Sequence, residues 1–355
     1  MRPIFFVTHS WRIAMHLAFF FLLTIKPAFA TLPEPLQCGG PPEKWFQATY
    51  DFGNDELTWF FAHIFQNGSY GDIVAAAEEW KRPECLLKNG EPQMDYWLAG
   101  FSKSFALEPD WGKSLERIEK FKAAYPGNAL TSLAEARYWS DYASNARGGG
   151  YASSVTPEGW RLFKERLAKS ERILLDTKEK ASEWPLWYWQ MIRVQALLDR
   201  PIEERYQTFL DGMKKFKDVP AIYSEMAAFR EPRWGGSWVE VDKITTLAVK
   251  NIHRETPDAT YTRMYWETGD RMYSDLSFFS ETKVSWPRMR KGFHSLMKLY
   301  PTSRLISNNL LAYACLAEDK ASYLKYRKLV TDLDPRAWRA ERGRDLCDVK
   351  FGYAK

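Results

Sequence analysis

Apolar positions recur every three to four residues along most of this chain, and no stretch alternates apolar and polar residues as a half-buried strand would. The pattern is clearest from Trp160 to Leu174, where Trp160, Phe163, Leu167 and Leu174 share one face and lysine and glutamate the other. Thr156 is placed to cap that helix. Pro157 suits its first turn, where a missing N–H costs nothing. The same reading predicts helices from Asp55 to Phe65 and from Gly71 to Lys81, separated by Asn67-Gly68. A further pair spans Tyr96 to Leu107 and Gly112 to Ala124. Prolines at 33, 35, 41 and 42 mark the entry to this helical region.

A repeat is written into the turns. Tyr125-Pro126 ends one helix and opens the next, which carries Leu130 and Tyr138; Tyr300-Pro301 does the same with Leu305 and Tyr313, at identical offsets. Pro185-x-x-Tyr188 and Pro220-x-x-Tyr223 open two more helices 35 residues apart, close to the roughly 34-residue period of tetratricopeptide helix pairs. Proline ends the preceding helix and is tolerated at the start of the next. The expected fold is all-α: an irregular tetratricopeptide-like α-solenoid of antiparallel helix pairs.

The first thirty residues follow another logic. Arg2 and Arg12 precede an apolar run of 13 residues from Ile13 to Ile25, interrupted only by His16 and Thr24, and Ala28-Phe29-Ala30 offers a small-x-small cleavage site. The run is short of the roughly 20 residues a membrane-spanning helix needs. Residues 1–30 therefore read as a secretory signal peptide, 31–145 as N-terminal helical repeats, and 146–355 as a second helical-repeat region. The expected location is periplasmic or secreted, with no membrane span after cleavage. Loss of Arg2, Arg12 and Lys26 takes the net charge from +5 to +2. So balanced a surface argues against nucleic acid, which needs clustered Lys and Arg.

Four cysteines remain in the mature chain, two near each end. An even number in an exported protein favours disulfides. The economical pairing is Cys38 with Cys85 and Cys315 with Cys347, although four cysteines permit three pairings. No CxxC or Cys/His cluster offers metal-ligand spacing, so neither metal nor cofactor is expected. The 16 tryptophans read first as wedges between packed helices and second as stacking surfaces for sugars or peptides.

Two segments break the helical pattern: Ala146-Arg147-Gly148-Gly149-Gly150-Tyr151 and Pro232-Arg233-Trp234-Gly235-Gly236-Ser237. Neither carries known catalytic spacing. The glycine triplet lacks the strand and Gly-Lys-Ser/Thr of a phosphate loop. Ser237 lacks the second glycine of a nucleophile elbow, and with Glu240 it reads instead as a helix-capping box. Arg147 and Arg233, each beside glycines and an aromatic ring, have two readings. They either hold an anionic group through the planar guanidinium or tie loops to helix C-terminal carbonyls. Arg147, Tyr151, Arg233 and Trp234 are the candidate ligand-binding residues. His63, His253 and His294 are scattered. Glu78-Glu79 and Glu203-Glu204 fit solvated helix faces. Asp51, Asp141 and Asp270 are the carboxylates considered for glycosidic chemistry, which uses two flanking acids.

With Asn309-x-x-Ala312-x-Ala314-Cys315-x-Ala317-x-Asp319 and Trp338…Cys347, these two loops resemble a bacterial family known only as a domain of unknown function with tetratricopeptide-like helices. The resemblance runs from about Tyr138 to the C-terminus. It implies the fold and the helical-repeat setting and brings no activity or catalytic residues. Three functions follow as expectations. The leading one is an exported binding or scaffold protein, not itself catalytic, whose partner is an envelope protein, a peptide or a cell-wall component. The alternatives are a carbohydrate-active enzyme of helical-toroid type acting on envelope glycans, and an inhibitor guarding the envelope against a toxin. The exported protein is predicted to begin at Thr31, which intact-mass measurement checks; a retained Met1 would make it membrane-anchored.

Overall fold

The computed structural model describes residues 32–39, 56–272, 277–330, 333–338 and 343–353. The signal segment, its cleavage site and Asp51 lie outside the described residues. Within them the chain is all-helical, apart from an isolated bridge between Leu86 and Pro92. No helix among the described residues is long and apolar enough to cross a membrane.

Seven pairs follow one another: α1 (Glu56–Gln66) with α2 (Tyr70–Trp80), α3 (Asp95–Leu107) with α4 (Trp111–Ala124), and α5 (Ala129–Arg147) with α6 (Pro157–Asp176). After the short α7 (Lys178–Ala181) come α8 (Pro185–Leu197) with α9 (Ile202–Lys215), and α10 (Pro220–Ala228) with α11 (Trp238–Asn251). Then α12 (Pro257–Arg271) pairs, past the short α13 (Phe278–Glu281), with α14 (Trp286–Leu299), and α15 (Arg304–Leu316) with α16 (Lys320–Arg327); α17 (Arg344–Phe351) closes the described chain. The predicted starts hold because local chemistry sets them. Thr156 accepts the Gly159 N–H at 3.0 Å and caps α6, and Asp110, Asn128, Thr256, Ser303 and Asp319 cap α4, α5, α12, α15 and α16 in the same way. Pro157, Pro185 and Pro220 sit in the first turns of α6, α8 and α10.

The first helices of the pairs form one row. α1, α3, α5, α8, α10 and α12 each pack directly on the next, whereas each of α4, α6, α9, α11 and α14 packs on its own partner and on the following first helix. Closer spacing in one row than in the other bends the stack, so the first-helix row lies on the concave side. Burial follows that division. α8, α10, α12 and α15 are buried on most faces, while α4 buries only the stripe Ser114, Ile118 and Phe121, and α9 only Thr208, Phe209 and Gly212. One apolar core runs from Leu36 to Met264, across the α5–α6 pair, and two smaller ones continue it to Phe351.

The tyrosines that carried the repeat signal are structural. Tyr138 and Tyr313 are buried, and their hydroxyls reach across to the Trp111 and Trp266 carbonyls at 2.9 and 3.1 Å. Most of the aromatic residues serve as wedges: Phe61, Trp97, Phe101 and Phe65 meet edge to face between α1 and α3.

Both expected disulfides are present, with Cα–Cα separations of 4.7 Å for Cys38–Cys85 and 5.9 Å for Cys315–Cys347. They fit an oxidising environment. The second joins α15 to α17 and pins the last helix, whose outer face leaves Leu346 and Val349 exposed. Its residues are 32 apart, for which chain entropy gives about 3–4 kcal/mol of stabilisation. Replacing Cys315 and Cys347 by serine is expected to raise hydrogen exchange in α16 and α17 while leaving α5 and α8 protected. Uniform loosening along the chain would show that the last helices are not a separate unit.

Candidate functional site

The accessible side of the inner row is its concave face, because the outer row and neighbouring inner helices cover the rest. Along it, polar side chains link one repeat to the next. Ser102 of α3 donates to Asp141 of α5 at 2.6 Å, and Arg137 holds the same carboxylate at 3.1 Å. Trp189 and Arg193 of α8 donate to Glu225 of α10 at 2.6 and 3.2 Å. Ser224 of α10 donates to the Met264 sulfur of α12 at 3.7 Å, and further along α12 Glu267 faces Arg271 at 3.8 Å. Towards the first repeat, Lys103 lies 4.0 Å over the ring of Trp59, which stays 39% exposed. These groups are held by their neighbours and still reach solvent, which prepares them to meet a ligand at small entropic cost.

The curvature brings distant parts of the chain together. The turn between α2 and α3 projects onto α12, where Arg263 donates to the Asn89 carbonyl at 2.6 Å, and Gly90 lies against the ring of Tyr300. A Cβ on Gly90 would stand 2.2 Å from that ring, and its φ of +82° is the left-handed region that favours glycine. Arg263 is buried and ion-paired with buried Glu255 at 2.8 Å, so its charge is compensated. Glu91, Asp95 and Glu267 lie close enough to influence one another electrostatically. Loss of solvent pushes the Asp95 carboxyl up to about 7; Arg254 opposes the shift, and Glu267 and Glu91 reinforce it. Desolvation raises Glu267 as well, with Arg271 and Ser224 opposing it and Glu91 adding to it. The sequence offered no route to this pair: Asp95 opens one helix, Glu267 sits inside another, and only the bend of the stack makes them neighbours.

The predicted site residues are placed differently. Arg147 ends α5 and turns onto its own loop, donating to the Gly148 and Gly150 carbonyls at 3.0 and 3.1 Å, with Trp160 beneath it at 5.4 Å. Tyr151 is 70% exposed. Arg233 donates to the Arg271 carbonyl at the end of α12 at 3.1 Å and pairs with buried Glu231 at 2.9 Å. Trp234 packs on Phe229 with ring centres 5.0 Å apart. Each arginine thus has its own set of partners. Because α5 and α10 run in the same sense, the two loops lie along one edge of the solenoid, separated by the α8–α9 turn.

The glycines of the second loop have concrete tasks. Gly235 adopts φ +79°, and a Cβ on Gly236 would meet the Arg230 carbonyl oxygen at 2.0 Å. Ser237 caps α11 by accepting the Glu240 N–H at 3.3 Å, and the Glu240 carboxylate pairs with Arg230.

Of the acids considered for glycosidic chemistry, Asp141 is fixed by Ser102 and Arg137, and Asp270 is exposed near the end of α12. His63 meets Asn67, His253 lies in an exposed loop, and His294 meets Tyr326 at 2.7 Å. Cys38, Cys85 and Glu79 lie together, but both sulfurs are joined in the disulfide and offer no thiolate to a metal. A shallow groove on the outer face of α4, lined by Leu115, Glu116, Glu119 and Lys120 among others, has no aromatic platform.

No protein-family model matches this chain, and no curated protein matches it. The family resemblance therefore rests on the two loop motifs and the C-terminal pattern alone.

The two arginines are expected to separate on substitution. Arg233→Ala removes one of two cations from buried Glu231 and should cost about 1–3 kcal/mol in urea denaturation. Arg147→Ala removes only exposed contacts, to its own loop and to the Trp160 ring, and should cost no more than about 0.5 kcal/mol. Equal effects would contradict these assignments.

Proposed function

We propose that this chain is an exported helical-repeat binding protein of the periplasm or the extracellular space, and that its ligand lies along the concave face. The observation supporting this is the pair of repeat-to-repeat polar contacts, Ser102–Asp141 and Arg193–Glu225, held in place and open to solvent. Donors and acceptors spaced from repeat to repeat suit an extended ligand with regularly placed polar groups: a peptide, a segment of an envelope protein, or a cell-wall component. Trp59 and Trp189 add apolar surface to the same face. The Arg147–Tyr151 and Arg233–Trp234 loops border one edge of it and supply exposed rings.

The glycan-cleaving reading draws on one observation, the Asp95 carboxyl held near neutrality beside Glu267, since such a group can donate a proton to a leaving oxygen. Turnover of envelope glycans by the purified protein, lost in Asp95→Asn, would decide for it.

Co-purification from the producing cells tests the binding reading. The wild-type chain should retain a partner that Arg193→Ala loses by about tenfold or more, the effect of removing a central charged contact. Arg161→Ala, which alters an exposed pair on α6, should retain it fully. Equal retention by both variants would place the ligand elsewhere.

A further inference from the structure

The middle of the concave face carries two arginines whose donors are only partly used. Arg137 of α5 is held by Nε alone, which donates to Ser102 at 2.6 Å and to Asp141 at 3.1 Å. Arg193 of α8 is held by Nη1 alone, which donates to Glu225 at 3.2 Å; Trp189 donates to the other oxygen of that carboxylate at 2.6 Å. Among the described residues nothing accepts from either Nη of Arg137, or from Nε and Nη2 of Arg193. None of these four nitrogens is sealed from solvent. Neither side chain is loose, since Arg137 is only 13% exposed and Arg193 36%.

The two arginines stand beside each other across the α5–α8 contact. Gln190 of α8 donates to the Leu133 carbonyl of α5 at 3.1 Å, and the two helices run in the same sense. One turn on from each of these partners come Arg193 and Arg137, which are therefore level. Burial works against the Arg193 charge, but Glu225 and Asp141 outweigh it, so the α5 carboxylate acts on Arg193 as well. Asp141 spends Oδ2 on Ser102 and Arg137, while its Oδ1 accepts from no described residue. The half-buried ring of Trp189, fixed through its N–H on Glu225, lies one turn before Arg193.

This arrangement selects by charge and by spacing. A cationic ligand would find Glu225 spent on both oxygens and Asp141 on one. An anionic ligand finds two guanidinium groups with N–H donors to spare, and a planar carboxylate matches such a fork with two parallel bonds. Neighbouring helices lie about 8–10 Å apart. Side chains two residues apart on an extended chain point the same way about 6.5–7 Å apart, and the length of a glutamate side chain covers the difference.

We propose that the α5–α8 part of the concave face recognises an acidic peptide in extended conformation, with two carboxylates two residues apart seated on Arg137 and Arg193. A main-chain N–H of the peptide donates to Asp141 Oδ1, and an apolar side chain lies on the Trp189 ring. The inference rests on the concave binding face proposed above and adds the chemistry of what binds there.

Isothermal titration of the full mature protein with capped octapeptides of alternating Glu-Thr, Gln-Thr and Lys-Thr tests this. The Glu-Thr peptide should bind about tenfold or more tighter than the Gln-Thr peptide, with an affinity that falls as salt is raised, and the Lys-Thr peptide should bind weakest. Arg137→Gln and Arg193→Gln should each reduce the preference for Glu-Thr over Gln-Thr by about tenfold, while Arg161→Gln on α6 leaves it intact. Where one arginine variant does not fold, the other and the wild-type preference decide. Equal affinities for Glu-Thr and Gln-Thr, no binding of Glu-Thr up to about 1 mM, or a preference unmoved in both variants would overturn the proposal. Co-purification separates this failure from that of the binding face. A partner lost by Arg193→Ala, from a protein with no preference for Glu-Thr, leaves the face standing and removes the acidic peptide.

Discussion

The difference in spacing between the two helix rows is the constraint on which the rest of this structure depends. First helices touch one another along the stack, and second helices wedge between them from outside. That asymmetry is a matter of side chains. The inner helices are buried on most faces, whereas the outer ones present a single apolar stripe and a charged back. A stack with one short row must curve, and this one curves far enough for the turn between its first and second pairs to rest on its sixth. The enclosed concave face, the neighbourhood of Asp95 and Glu267, and that contact itself all follow from the bend.

Stability and recognition are divided between the two sides of the inner row. Towards the outer row lie aromatic wedges and buried tyrosines, which set helix angles. Towards the concavity lie polar contacts that cross from repeat to repeat, Ser102–Asp141 and Arg193–Glu225, and remain partly wet. Exposed charge pairs of this sort add little to stability; what they provide is a fixed arrangement of donors and acceptors. The ends are handled differently. A stack has no neighbour to cover its terminal helices, and here one disulfide ties residues 32–39 to the turn between α2 and α3 while the other ties α17 to α15.

Much of the fold was legible in the sequence because its determinants are local. Thr156 and Ser237 announce helix starts through the spacing of a hydroxyl and the first turn, and Pro185 and Pro220 announce two more. Tyr138 and Tyr313 revealed the repeat because each is buried in the first helix of its pair and bonds back to a main-chain carbonyl of the preceding pair. The economical cysteine pairing is the one the structure holds, although position alone left the two other pairings open. The candidate site was less legible. Arg147 and Arg233 stood out through their odd composition, which the structure explains by local tasks: carbonyls to satisfy, a left-handed turn, a close backbone approach. The Arg263–Asn89 contact joins a side chain to a main-chain oxygen 174 residues away. Since any residue at 89 supplies that oxygen, no residue type marks it. Asp95 and Glu267 were hidden for a related reason: a carboxylate in a helix pattern reads as freely solvated, and only the fold brings other elements close enough to disfavour its charge.

The central claim is that the chain bends until the turn between its first two pairs rests on its sixth, and a double-mutant cycle between Gly90 and Tyr300 tests it most directly. In the wild-type background Gly90→Ala places a Cβ inside the Tyr300 ring, for an expected cost of about 2–3 kcal/mol. With Tyr300→Ala already present, only the left-handed backbone strain remains, about 1 kcal/mol. Coupling of about 1 kcal/mol or more between two residues so distant in sequence is the result expected of a closed seam. The same cost for Gly90→Ala in both backgrounds would mean that the two repeats do not meet.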